Sequence, residues 1–199
     1  MTQATRYKNS ATRQLYEALV ARDLSGEHRL EQCHAACKNG ANANAICEGG
    51  TSVTLLMVAV EKGWLDIVTL LVQNGANVNK KGMSNTPLGT AVSEGHLEVA
   101  KLLLDVGAEP NYVIPNQGAT ALIPAALSGR DDLCRLLVEN GAGIEFQWAY
   151  TGQTPAELAR EKGYDKTANV IETTKPKKSA RNYDDITIQE LVSWRGEDW

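Results

Sequence analysis

One cassette recurs along the chain, and it constrains the fold more than any other feature. It runs TLLMVAVEKGWLDIVTLLVQNGANVN from Thr54 to Asn79, TPLGTAVSEGHLEVAKLLLDVGAEPN from Thr86 to Asn111 and TALIPAALSGRDDLCRLLVENGAGIE from Thr120 to Glu145. The threonine precedes the glycine of the Gly-Ala pair by 21 residues in all three copies. A further copy, TPAELAREKGYDKTANVIE from Thr154, keeps only the opening half, and RLEQCHAACKNGANAN from Arg29 to Asn44 keeps only the closing half. A fixed period joined by connections of varying length marks stacked units, none of which buries its apolar face alone.

Each cassette spells a helical hairpin. The opening threonine can accept from a free backbone N–H, and the proline that follows it in Thr86-Pro87 and Thr154-Pro155 sits where the helix has no use for its missing donor. A glycine nine residues after the threonine, at Gly63, Gly95, Gly129 and Gly163, predicts a tight reversal into a second helix. Leu65, Val68, Leu71 and Val72 then fall at helical spacing and form one buried stripe. Pro124 stands near the fourth helical position of the third copy, where it removes the N–H that would bond back to the cap, so a distorted helix is expected there.

The pattern resembles the ankyrin repeat over roughly residues 12 to 172, on Thr86-Pro87-Leu88, Gly95-His96, Leu102-Leu103-Leu104 and Gly107-Ala108-Glu109-Pro110-Asn111. The resemblance implies an all-α fold, a solenoid of stacked helix-turn-helix hairpins with short β-hairpin-like loops, about five repeats including two caps. The expected organisation is an array over 1–172, with an N-terminal cap about 12–44, repeats about 45–79, 80–111 and 112–145, and a C-terminal cap about 146–172. A tail over 173–199 follows. The histidine usual two residues after the family's proline is replaced by Met57, Gly89, Ile123 and Glu157, which puts the inter-repeat bonds attributed to it in doubt.

The end copies read as caps. Leu15, Tyr16, Leu19 and Val20 give an opening helix its apolar side, and the connection from Asp23 to His28 is longer than in the other copies. Asp165, Lys166 and Asn169 stand among positions that the internal copies fill with apolar side chains, as suits a surface facing water. In the tail, Lys175, Lys177, Lys178 and Arg181 read as a solvated linker. Beyond it Asp184 or Asp185 could cap a short helix carrying Ile188, Leu191, Val192 and Trp194 on one side, too short to be stable alone.

Composition narrows the function. Of 199 residues 43% are hydrophobic, enough for a packed core, and 20 Lys plus Arg against 24 Asp plus Glu leave a net charge of −4. That balance offers phosphate backbones no long-range attraction, so nucleic acid is not the expected partner. No apolar run approaches the roughly 20 residues that span a bilayer, and the opening MTQATRYKNSATRQ has no hydrophobic stretch, so no membrane partner is expected and the protein is expected to be soluble and cytoplasmic. Cys33, Cys37, Cys47 and Cys134 are too few for a disulfide framework. Cys33 and Cys37 align with core positions and pack as small hydrophobes, while Cys47 in a loop is the thiol expected to be accessible. A thiol or metal sensor built on Cys33, Cys37 and Cys47 is a minor alternative.

No nucleophile with a positioned base, phosphate loop or metal motif stands out, so no catalysis and no cofactor are expected. The resemblance implies partner binding through the loop tips and the concave face of the array. Among the eleven aromatics (four Trp, six Tyr, one Phe), Phe146, Trp148 and Tyr150 alternate along one tip, with Tyr112 one repeat earlier. They either form a contact surface, the favoured reading, or fold back over the inter-repeat core. The residues singled out for a partner are Met83, Asn85, Tyr112, Asn116, Gln117, Phe146, Trp148 and Tyr150 at tips, Glu61, Lys62 and Glu94 at helix ends, and Trp194 in the tail. Lys80 and Lys81 make one tip basic. The expected function is stoichiometric binding of one protein by a chain that is monomeric when unbound, as an inhibitor or immunity-type partner; the alternative is an adaptor whose tail recruits a second protein.

Overall fold

The computed structural model describes residues 9–47, 53–80, 85–114 and 117–177. Ten helices lie within them: α1 (Ser10–Val20), α2 (Gly26–Lys38), α3 (Leu55–Glu61), α4 (Leu65–Gln73), α5 (Pro87–Glu94), α6 (Leu97–Asp105), α7 (Leu122–Leu127), α8 (Asp131–Glu139), α9 (Pro155–Glu161) and α10 (Asp165–Thr173). Consecutive helices pair as hairpins. The first helices contact one another in the row α1–α3–α5–α7–α9, and the second helices in the row α2–α4–α6–α8–α10. The result is an all-α, two-layer solenoid. Among the described residues the hairpin-like loops reduce to two isolated β-bridges, Ile46 with Thr54 and Ile114 with Ala119.

The main core is one continuous cluster from Leu15 to Ile171. Equivalent positions along the array are fully enclosed: Ala59, Ala91, Ala125 and Ala159 in the first row, and Cys33, Val68, Ala100, Cys134 and Ala168 in the second. Small residues there let neighbouring helices approach closely, and Leu71, Leu103, Leu137 and Ile171 fill the space beside them. In α1 the buried stripe is Ala11, Leu15, Ala18 and Leu19, at helical spacing. Tyr16 is half-buried and packs against this core as expected, whereas Val20, the last helical residue, is exposed, against the expectation that it lies on the apolar side. Ser25 caps α2 by accepting from the His28 N–H, so the connection ends three residues earlier than the sequence suggested.

The caps work as their chemistry predicts, except one. Thr54 Oγ1 accepts from Met57 N at 3.2 Å and Thr86 Oγ1 from Gly89 N at 3.1 Å. Thr154 forms a reciprocal capping box, its hydroxyl accepting from Glu157 N at 3.4 Å while Glu157 Oε2 accepts from Thr154 N at 2.8 Å. In the third copy the Thr120 carbonyl finds no donor four residues on, because Pro124 has no N–H. Ile123 N turns to that carbonyl at 3.1 Å, α7 starts late and has six residues, and the buried Thr120 Oγ1 has no hydrogen-bond partner. The expected distortion is therefore present.

Asparagines join the loops of successive repeats. Asn44 Nδ2 donates to Gly75 O at 2.7 Å and its Oδ1 accepts from Asn77 N at 2.7 Å. Asn79 holds Gly107 O (2.8 Å) and Glu109 N (2.9 Å) in the same way, and Asn111 holds Gly141 O (2.8 Å) and Gly143 N (2.7 Å). Asn9 opens the series by donating to Gly40 O at 2.8 Å, with Thr12 Oγ1 accepting from Asn42 N at 2.9 Å in place of the second bond. Glu145 occupies the next position, where no Gly-Ala loop follows to be held.

Planar side chains cover the hairpin turns. Arg29 is buried, donates to Ala18 O (2.6 Å) and Leu24 O (3.1 Å), and lies over the Trp64 ring at 4.3 Å, tying the first two hairpins together. Gly129 has φ +63°, and a Cβ on it would meet the Tyr164 ring of the next hairpin at 2.7 Å, so both conformation and space call for glycine.

Candidate interaction surface

Two neighbouring tips, over 111–120 and 145–154, are clasped into one unit. Ile114 N donates to Ala119 O at 2.9 Å and Gly118 N to Ile114 O at 2.8 Å, closing the first tip on itself. Trp148 N donates to Gln153 O at 2.8 Å and Gly152 N to Trp148 O at 2.7 Å, closing the second. Across the gap Ala149 N donates to Gly118 O at 3.3 Å and Trp148 Nε1 to Gln117 O at 2.8 Å. Gly118 has φ +55°, and a Cβ on it would overlap the Ala149 side chain, so the approach depends on glycine.

The aromatic alternation does not produce three rings on one exposed face. Phe146 and Trp148 are half-buried and pack with Leu127 against Ala119, Ile123 and Leu158, forming a small second core over the weakened α7. Their burial follows the reading in which the rings fold back over the inter-repeat core. The backbone turns at 149–151 instead of continuing extended, so the period-two pattern stops there. Tyr150 alone points outward, 69% exposed, with its ring edge-on to Trp148 at 5.4 Å. Val113, 41% exposed, stands on the adjoining tip beside half-buried Tyr112. Gln117 is exposed and contributes its carbonyl to the clasp. Sequence periodicity marked the rings, but Val113 and the clasping role of Gly118 were not foreseen; the Asn-Gln-Gly-Ala stretch signalled a turn and nothing more.

Of the other singled-out residues, the described ones Glu61, Lys62, Asn85 and Glu94 belong to earlier repeats. Glu61 and Lys62 form an exposed ion pair at 3.0 Å, a geometry worth little in water. His96 Nε2–H donates to the Glu61 carbonyl at 3.1 Å, linking successive turns. Glu94 is exposed at the end of α5, and half-buried Asn85 uses its Oδ1 to accept from Thr86 N at 2.9 Å. Met83, Asn116 and Trp194 lie outside the described residues, as do Lys81, Lys178, Arg181 and the tail segment with Ile188, Leu191 and Val192. Lys80 is no solvated charge: its Nζ donates to Asn44 O at 2.9 Å, capping the neighbouring loop. Lys177, expected in a solvated linker, pairs with Glu139 at 2.8 Å and donates its N–H to Glu139 O at 2.9 Å. The chain therefore returns from α10 to the end of α8.

The four thiols are buried. Burial pushes Cys33 and Cys134 up to about 12, with the neighbouring Cys37 adding to the first and Asp131 and Asp132 to the second. Cys37 is raised by burial as well. Cys47, expected to be accessible, is buried, and burial raises it to about 11 against the smaller pull of a backbone hydrogen bond. Its N–H donates to Val53 O at 2.7 Å. Perturbed carboxylates serve structure: Lys166 and then Thr167 hold Asp131 below the usual range, and the Thr154 N–H and hydroxyl do the same for Glu157.

Among the described residues no helix is long and apolar enough to cross a membrane. A family model of ankyrin repeats, in three copies, matches residues 19–114. Comparison with curated proteins returns no match. Ankyrin repeats are protein–protein interaction modules and typically non-catalytic. The same hairpin continues past the matched segment through α10, and the match supports an ankyrin-repeat protein.

Proposed function

We propose that this chain is a non-catalytic binding module that engages one partner protein stoichiometrically through its loop tips and concave face, as an inhibitor or immunity-type partner. The observation that carries this reading is Tyr150, 69% exposed on a tip whose backbone is clasped to its neighbour. A large amphipathic ring held on a rigid support loses little conformational entropy on binding, the property of interface anchors. The array over 1–172 carries the contact, without cofactor, in a cytoplasmic protein that is monomeric when unbound. Four buried, protonated thiols weigh against a thiol or metal sensor.

The adaptor reading draws on a different observation, the contact of Lys177 with Glu139, which fixes where the tail leaves the array. A pull-down from native host lysate distinguishes the readings. The intact chain, a Tyr150→Ala variant of unchanged helical content and a chain lacking residues 174–199 serve as baits. An inhibitor retains one enzyme, abolishes its activity and loses it by about 30-fold in affinity with Tyr150→Ala, the fold-change of a 2 kcal/mol anchor. An adaptor gives a ternary complex that loses one member on truncation. Equal recovery by intact and Tyr150→Ala baits would show that the tip is not the contact.

A further inference from the structure

The clasped tips differ from the rest of the chain in charge. Residues 106–129 and 136–159 contain no Lys, Arg or His, although the whole protein has 20 Lys and Arg. Four glutamates fall in these stretches, and two are already engaged: Glu139 pairs with Lys177, and Glu157 closes its capping box. The other two, Glu109 and Glu145, are exposed. Glu109 stands two residues before Asn111, which joins Gly141 and Gly143, and Glu145 two residues after Gly143; Val113 and Tyr150 follow in the same two loops and are exposed. An apolar anchor point bordered by carboxylates, with no cation on either tip, attracts basic surfaces and repels acidic ones.

We infer that the clasped tips select a partner surface in which an apolar anchor is flanked by lysines or arginines. The inference rests on the tip-binding function proposed above and adds the chemistry of the partner. Contact places the partner's apolar side chain against Tyr150 and Val113, while its cations face Glu109 and Glu145. Complementary charge of this kind speeds encounter and rejects wrong partners, and its effect fades with salt. An anionic partner meets two exposed carboxylates.

The probes are three synthetic peptides with one shared pattern of Leu and Trp whose intervening positions are all Lys, all Gln or all Glu. Fluorescence anisotropy measures their affinity for the full chain. The Lys peptide is expected to bind at least about tenfold more tightly than the Gln peptide at about 0.05 M salt, the Glu peptide most weakly, and the gap to close by about 0.5 M. The double variant Glu109→Lys/Glu145→Lys should reverse the order. Glu31→Lys/Glu98→Lys, an equal change of net charge at exposed positions away from the tips, should preserve it. Circular dichroism confirms that both variants are folded. Equal binding of all three peptides, no binding of the Lys peptide, or reversal by the control variant overturns the inference. Tyr150→Ala separates the two claims: if it weakens every peptide while no charge order exists, only the partner chemistry fails. If it weakens none, the tip reading fails with it.

Discussion

Asn79 holds the Gly107 loop of the following repeat at two points, donating from Nδ2 to Gly107 O at 2.8 Å and accepting at Oδ1 from Glu109 N at 2.9 Å. One side chain thereby satisfies a carbonyl and an amide that the end of α6 leaves over. Asn44 and Asn111 repeat the geometry. Asn79→Ala should lower stability by about 1–2 kcal/mol, read as a lower urea midpoint at unchanged slope. An unchanged midpoint would mean that water replaces both bonds at no cost.

Thr86 and Thr120 occupy the same position of successive repeats but not the same hydrogen-bond state. Thr86 Oγ1 caps α5, whereas Thr120 Oγ1 is buried without a partner. Thr86→Val should cost about 1 kcal/mol, and Thr120→Val should be neutral or slightly stabilising, because it replaces an unsatisfied hydroxyl by a methyl of equal size. Equal losses at the two sites would sink this account of α7.

Trp148 and Tyr150 divide support from exposure. Trp148→Ala removes a ring packed over Ile123 and Leu158 and a bond to Gln117 O, and should destabilise by about 2 kcal/mol. Tyr150→Ala should shift stability by less than about 0.5 kcal/mol. Paired thermal melts check the contrast, and a large loss with Tyr150→Ala would assign that ring to packing.

Thiol accessibility gives an independent check on the core. With Cys33 and Cys134 pushed up to about 12 and Cys47 to about 11, the folded chain should react with an aromatic disulfide reagent at pH 8 only as fast as it opens. In denaturant all four free thiols should titrate at once. One rapidly reacting thiol in the folded chain would contradict the buried placement of Cys47.

Acid should act through Asp131 and Glu157. Both carboxyls are held below their ordinary values of 3.8 and 4.5 in the folded state. Their stabilisation is therefore complete above those values and is lost as pH falls through the lower folded ones. Thermal midpoints should drop on acidification below about pH 4.5, and Glu157→Gln should flatten that part of the curve. A midpoint that stays level to pH 3 would contradict the ion-pair and capping roles.

The sequence by itself determined the hairpin, its repetition and the core. Thr-to-Gly spacing, the 3.6-residue period of the apolar side chains and the turn glycines are local rules, so each repeat carries them in full. The columns holding Cys33 and Cys134 could be recognised as core because alignment of one copy on the next stands in for packing. The Pro124 distortion was legible for the same reason, since a missing N–H is a covalent fact.

Only the tertiary structure decided which residues face outward. Phe146 and Trp148 turn in and Tyr150 turns out because Gly118 allows a backbone approach from the neighbouring tip, a contact between residues about thirty positions apart. Lys80 and Lys177 find partners the same way, on Asn44 and Glu139. Loop side chains obey no period, and their burial depends on what the next repeat brings beside them. The fold was thus written in local spacing, while the surface that meets a partner emerged only when the repeats were stacked.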